Sequence, residues 1–183
     1  MKTMIKLTLV LSAFAGVGCG GSSDTTTATK GPGAALTCKS SGKNAFDTYS
    51  ATAFVAVNEQ IFSNVVAELG GPNGTTKLGT SFNAPASNPT ELARFKGSLA
   101  AFLVYAYGGP SSITYTDGKT YTGPQDMAAK HASMAITDAQ YDYFVANIIV
   151  PALTAKGVPA DDVSSCFAPV VTDAAFKASI VGK

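Results

Sequence analysis

Residues 88–110, NPTELARFKGSLAAFLVYAYGGP, decide how the rest of the chain is interpreted. Asn88 and Pro89 are typical of a helix start, with Asn as the N-cap and Pro in the first helical position. Apolar residues then recur at three and four positions: Leu92, Phe95, Leu99, Phe102 and Leu103. The Gly-Gly-Pro at 108–110 ends the run. The stretch therefore predicts an amphipathic helix with one apolar face.

The same periodicity continues on both sides of this stretch. A helical pattern begins at Ala45, another follows the capping-box sequence Thr137 to Gln140, and a last one opens at Pro159. Strand signals are few, although residues 116–119 suggest a tight turn in a small hairpin. The fold class expected for residues 45–183 is therefore all-α.

Composition supports a folded domain and excludes some partners. Of the 183 residues, 46% are hydrophobic and 14% charged, which is enough apolar material for a real core. The net charge is +1, and the chain has no basic stripe. A nucleic acid is therefore not an expected partner.

The first 18 residues have the pattern of a signal peptide. Lys2 and Lys6 precede an apolar run that is too short to span a membrane. Cys19 then stands where bacterial lipoproteins carry the cysteine that is lipidated and becomes the mature N-terminus. We expect a protein anchored to a membrane through Cys19, facing the periplasm or the outside. A cut after Ala15 is the alternative and would give a soluble secreted protein. Residues 19–44 are expected to form a flexible tether.

Two cysteines remain if Cys19 carries lipid. Export permits disulfides, and an even pair favours a bridge between Cys38 and Cys166. The alternative is two unpaired thiols, one in a loop and one on a helix. A bridge closing so long a loop would stabilise the fold by about 4–5 kcal/mol in the chain-entropy model.

Residues 125–137, QDMAAKHASMAIT, contain the only histidine of the chain. On a helix over residues 124–135, methionine and alanine would surround His131 on an apolar face. The imidazole could donate one N–H to a carbonyl one turn earlier and keep its other nitrogen as an acceptor. It is then either a satisfied core residue or a metal ligand. A single imidazole suits a cofactor that brings its other ligands with it, as haem does.

Three segments of the chain contain motifs that are more specific in combination than any single motif is alone. They are FKGSLAAFLVYAYGGP (95–110), YTGPQDMAAKHASMAITDAQYDYF (121–144) and GVPADD (157–162). A double glycine closes a helix, a histidine follows a methionine by four residues, and Ile-Thr opens the next helix. In this order and spacing, apart from an insertion near 111–120, the chain resembles truncated haemoglobins of the first group. The resemblance implies a two-over-two helical sandwich around haem b.

The resemblance also implies roles for individual residues. His131 would ligate the haem iron from the proximal side. Other residues would line the proximal face: Met127, Lys130, Ile136, Tyr141 and Phe144. Tyr121 matches a residue at the haem edge, Lys96 a lysine that pairs with a propionate, and Phe82 an aromatic residue that wedges the haem.

The distal side departs from the family. Phe62 stands where the family usually has tyrosine, and Leu99 where it often has glutamine. Phe95 and Phe102 complete an apolar pocket, in which bound dioxygen would lack a hydrogen-bond donor. Faster dioxygen release and easier oxidation of the iron are expected, whereas carbon monoxide and nitric oxide need the donor less. The alternative is that these side chains simply pack a core.

The leading hypothesis is an exported haem protein that binds a diatomic gas for sensing, scavenging or redox chemistry, with an electron donor that the sequence does not identify. Nitric oxide dioxygenation is known for the family, but it depends on stable bound dioxygen, which an apolar pocket disfavours. Two alternatives remain. One is a haem-free envelope lipoprotein that uses the globin fold as a binding or structural module, and the other is a haem carrier.

Overall fold

The described part of the chain is mostly helical and contains a small hairpin. A computed structural model describes residues 30–82 and 88–183. The expected signal peptide, Cys19 and the first part of the expected tether lie outside the described residues. No helix in the described ranges is long and apolar enough to cross a bilayer.

Two long helices form the centre of the fold. Helix α1 (Ala45–Leu69), which is kinked at Ser50, packs against α3 (Pro89–Ala106). The short α2 (Gly74–Leu78) lies between them in the chain. The hairpin strands follow, β1 (Ser112–Thr114) paired antiparallel with β2 (Thr120–Thr122). The predicted turn at residues 116–119 is therefore present.

The second half of the chain consists of shorter helical pieces. They are α4 (Met127–His131), α5 (Asp138–Phe144), α6 (Val150–Ala155), α7 (Ala160–Asp162), α8 (Ala168–Val171) and α9 (Ala174–Ala178). A π-helical turn, Val145–Ile149, joins α5 to α6, and a second, Val163–Phe167, joins α7 to α8. The core lies where α1, α3 and these two longer runs meet.

Local capping explains where the main helices begin. The Asn88 side chain accepts hydrogen bonds from the first amides of α3, and Pro89 occupies its first position, as predicted. Thr137 and Gln140 form both halves of the predicted capping box at α5. The starts of α3 and α5 are thus each fixed by residues that lie within one helical turn of the start.

The helix that carries His131 is shorter than the 124–135 predicted from periodicity. It ends at His131, and Ser133 and Ala135 then have positive φ angles of 68° and 50°. Backbone hydrogen bonds from the chain end hold this segment: Ala135 N–H donates to the Lys183 carbonyl, and Gly182 N–H donates to that of Ile136, both at 2.9 Å. The tertiary contacts therefore override the helical pattern after His131.

The later part of the expected tether belongs to the folded domain. Pro32–Ala35 form a turn of 3₁₀ helix, and Cys38 is fully buried in a disulfide with Cys166. A Cβ atom at Gly31 would lie 2.0 Å from the Tyr105 carbonyl oxygen, so glycine lets this segment approach the end of α3. The Gly- and Ala-rich composition that suggested flexibility instead permits close packing.

A buried carboxylate reinforces this attachment next to the disulfide. Asp162 is fully buried and accepts hydrogen bonds from the Ser40 amide (2.8 Å), the Ser40 hydroxyl and the Tyr49 hydroxyl. Burial acts to raise the pKa of the Asp162 carboxyl, but these hydrogen bonds outweigh it and hold the pKa below its ordinary value. The contribution to stability is therefore present at neutral pH and is lost as the pH falls through the folded-state pKa.

Replacing Tyr49 with phenylalanine should lower the free energy of unfolding by about 2 kcal/mol at neutral pH, because a buried carboxylate loses a donor. The difference from wild type should shrink in acid, since the protonated carboxyl no longer needs that donor. Urea unfolding at both pH values measures the effect. Tyr105→Phe is the control, because the Tyr105 hydroxyl forms no hydrogen bond with any described residue. Equal losses in the two variants, or a Tyr49 effect that ignores pH, would count against the assignment.

Candidate functional site

The imidazole of His131 is oriented by a single backbone contact. Nδ1 lies 2.8 Å from the carbonyl oxygen of Met127, one turn earlier in α4. A carbonyl only accepts hydrogen bonds, so Nδ1 carries the proton of the neutral ring, and Nε2 is left as the acceptor. Nε2 forms no hydrogen bond within the described ranges, and the side chain is partly buried. The expected bond is present, and one nitrogen lone pair is available.

The backbone after His131 is strained. Ser133 and Ala135 are two of the three non-glycine residues with positive φ in the part of the chain that the structure describes. Such conformations cost free energy and often occur near functional sites. They turn Met134 outward, with 44% of its surface exposed, while Ile136 stays partly buried. Of these two, Ile136 is the less exposed.

Four phenylalanines form an aromatic column that connects α1, α3 and α5. Phe62 meets Phe95 edge to face at a centroid distance of 5.2 Å, and Phe95 stacks on Phe82 at 6.1 Å. Phe82 also stacks on Phe144 at 5.5 Å. The column thus connects two residues expected on the distal side with one expected on the proximal side. Phe82 lies between the two sides.

Two further apolar candidates, Leu99 and Phe102, lie on the same helix as Phe95. Leu99 and Phe102 are partly buried, and Phe102 stacks almost parallel on Phe176 of α9 at 5.9 Å. Sequence reasoning missed Phe176. The available signal was Asp173, which follows a break in the apolar pattern and caps α9 by accepting from the Phe176 amide.

A polar cluster lies beside Phe62, formed by Asn58, Glu59, Lys96 and Tyr115. Lys96 Nζ is 2.6 Å from a Glu59 carboxylate oxygen and 5.5 Å from the centroid of the Phe62 ring. The Tyr115 hydroxyl donates to the other Glu59 oxygen. Burial acts to raise the pKa of Glu59, but the bonds from Lys96 and Tyr115 outweigh it and lower the pKa overall. Lys96 was expected to face a carboxylate of a cofactor, and in this structure it faces Glu59, which the sequence did not single out.

Both tyrosines among the candidates use their hydroxyls in contacts within the protein. Tyr141 is buried and donates to the Val171 carbonyl at 2.6 Å, and burial raises its pKa to about 12. Tyr121 donates to Asp117 at 2.7 Å, and its ring covers Gly97, where a Cβ atom would come within 2.3 Å of it. These tyrosines therefore hold the hairpin and α5 in place.

The donor set at His131 restricts the kind of metal chemistry it can support. Among residues 30–82 and 88–183, no group of three or more His, Cys, Asp or Glu side chains is placed to hold a metal ion. His131 offers one nitrogen donor, its free Nε2, and such a donor suits a cofactor that brings the other ligands of its metal with it. No protein-family model matches the chain, and a search of curated proteins finds no significant similarity.

Proposed function

We propose that the chain binds haem b through Nε2 of His131 and that the haem protein takes up a diatomic gas. The observation that carries the proposal is the 2.8 Å bond from Nδ1 to the Met127 carbonyl. Histidines that ligate metals usually donate their other N–H in this way, which fixes the tautomer and the ring orientation. Haem supplies four in-plane ligands of its own and needs one imidazole from the protein.

The apolar side chains around the expected cleft support the same proposal. Four large ones are only partly buried: Phe95, Leu99, Phe102 and Phe144. A flat apolar cofactor seated against them would remove their exposed surface from water, at about 25 cal/mol per Å². Because Phe82 stands between Phe95 and Phe144, its ring would have to move toward the edge of the cofactor. The finer architecture proposed with this function is the two-over-two sandwich of truncated haemoglobins.

The side chains expected beside the gas would affect its binding because they carry no hydrogen-bond donor. His131 would hold the haem iron through Nε2, and the iron would supply the position at which a gas binds. Phe62 is 4% exposed, and with Phe95 and Leu99 it offers no hydrogen-bond donor. Such a wall excludes water but leaves the partial negative charge on bound dioxygen unstabilised. This pocket suits transient binding of dioxygen and favours ligands that do not need a donor.

Introducing a donor should slow the release of dioxygen. Phe62→Tyr should lower the dissociation rate about 10- to 100-fold, because a hydrogen bond of about 1.4–2.8 kcal/mol would be gained. Stopped-flow mixing of the dioxygen complex with carbon monoxide measures the rate. Phe46→Tyr adds the same hydroxyl to a partly buried ring elsewhere on α1 and should leave the rate unchanged. Release from wild type as slow as that from the Phe62→Tyr variant would contradict the apolar-pocket account.

Titration of the purified chain with ferric haem tests the proposal itself. We expect a sharp Soret band that saturates at one haem per chain and shifts when the reduced protein meets carbon monoxide. Absence of a band, or broad absorbance that grows without saturating, would refute haem binding at a defined site.

The aromatic column supports the competing proposal, a haem-free module. Its four rings contact one another in sequence, from residues expected on the distal side to one expected on the proximal side. A protein of this kind would give no saturating Soret band in the titration. A haem carrier would give the band but would pass its haem to apomyoglobin within seconds, so the transfer rate separates the carrier from a gas-binding protein.

A further inference from the structure

The polar cluster beside the aromatic column holds a cation that is already paired. Helices α1 and α3 contain two cationic side chains, Arg94 and Lys96. Arg94 is 62% exposed and bonds Glu91 at 2.7 Å. Lys96 is 25% exposed, lies over the Phe62 ring and bonds Glu59 at 2.6 Å. Lys96 is therefore the cation placed to meet an anionic group seated on the column.

The Glu59 carboxylate is itself held in position for Lys96. Its second oxygen accepts from the Tyr115 hydroxyl, and Tyr115 is 5% exposed. Tyr115 in turn accepts from the Asn58 amide at 3.3 Å. A carboxylate fixed by a buried donor loses little further entropy when it pairs with a lysine, so it is an effective internal ligand for Lys96.

The cluster is nevertheless one hydrogen bond short. Asn58 is fully buried, and its amide N–H groups donate to the Lys96 carbonyl and to the Tyr115 hydroxyl. Its Oδ1 has no partner among the described residues. A buried acceptor without a donor destabilises the folded state. The network that holds Glu59 through Tyr115 is therefore not fully satisfied in this arrangement.

We propose that Glu59 is a built-in competitor for carboxylate-bearing ligands of the adjoining site, so that a ligand carboxylate must take Lys96 from Glu59 in order to bind. The inference rests on the proposed function, in which the ligand is haem and the carboxylates are its propionates. By competing for Lys96, Glu59 lowers the affinity of the site for a ligand with free carboxylates and leaves its affinity for the ester unchanged. The pairing of Lys96 with a propionate, which the family resemblance implies, is thereby regulated by Glu59.

The test compares ferric protoporphyrin IX with its dimethyl ester, each titrated into wild type, Glu59→Gln and Glu91→Gln. Glu59→Gln should bind the acid about 3- to 10-fold more tightly, the scale of a partly exposed ion pair. Its affinity for the ester should not change. Glu91→Gln removes the same charge from α3 without touching Lys96, so it should behave as wild type toward both.

The outcomes separate this inference from the proposed function. If wild type binds one haem and Glu59→Gln binds it no more tightly, the competitor role is overturned while haem binding stands. If no variant binds either porphyrin, the proposed function fails and the inference fails with it. Should Glu59→Gln unfold, Lys96→Met serves instead, since it should lose the preference for acid over ester. A preference that survives Lys96→Met overturns the inference.

Discussion

Replacing both Cys38 and Cys166 with serine should lower the free energy of unfolding by about 4–5 kcal/mol. The bridge joins residues 128 positions apart, and in the chain-entropy model closing a loop of that length restricts the unfolded chain to this extent. Both cysteines are fully buried. Most small domains are stable by only about 5–15 kcal/mol, so a loss of this size is a large share of the total.

The loss should appear together with release of the segment that precedes α1. Cys38 and the Ser40 bonds to Asp162 attach this segment to the run from α7 to α8. Urea unfolding followed by far-ultraviolet circular dichroism measures the change. Wild type in reductant should approach the double serine variant, and the variant should not respond to reductant. A difference below about 1 kcal/mol between wild type and variant would contradict a structural role for the bridge.

The parts of the fold that could be predicted from sequence are those fixed by neighbouring residues. Asn88 with Pro89, and Thr137 with Gln140, begin helices through contacts within one turn, so their sequence patterns suffice. The hairpin between β1 and β2 follows from Asp117-Gly118, where Gly118 has the positive φ that the turn requires. Likewise, the bond from His131 to Met127 spans a single turn.

The parts that could not be predicted depend on distant residues. The helix of His131 ends early because backbone groups of residues 182–183 bind the segment after it. Residues 32–44 fold because Cys38 meets Cys166 and Ser40 meets Asp162, and their own composition resembles a linker. Glu59 faces Lys96 from a different helix, so no spacing within either helix indicated the pair.

Haem binding, as proposed, depends on one nitrogen atom of the protein. In the proposed function His131 Nε2 is the protein's bond to the haem iron, and the chain has no second histidine to replace it. His131→Gly should therefore weaken haem binding on the order of 100-fold, or about 2.8 kcal/mol. The imidazole lies at the end of the short α4, is only partly buried and makes its hydrogen bond to the Met127 carbonyl of the same helix. The variant should therefore retain its fold, which circular dichroism checks.

The most direct measurement is the Soret spectrum of wild type and His131→Gly after addition of one equivalent of haem, with and without free imidazole. We expect a sharp band for wild type, its loss or displacement in the variant, and its recovery when imidazole enters the space left by the side chain. A variant spectrum identical to that of wild type would show that His131 does not bind the iron and would contradict the account.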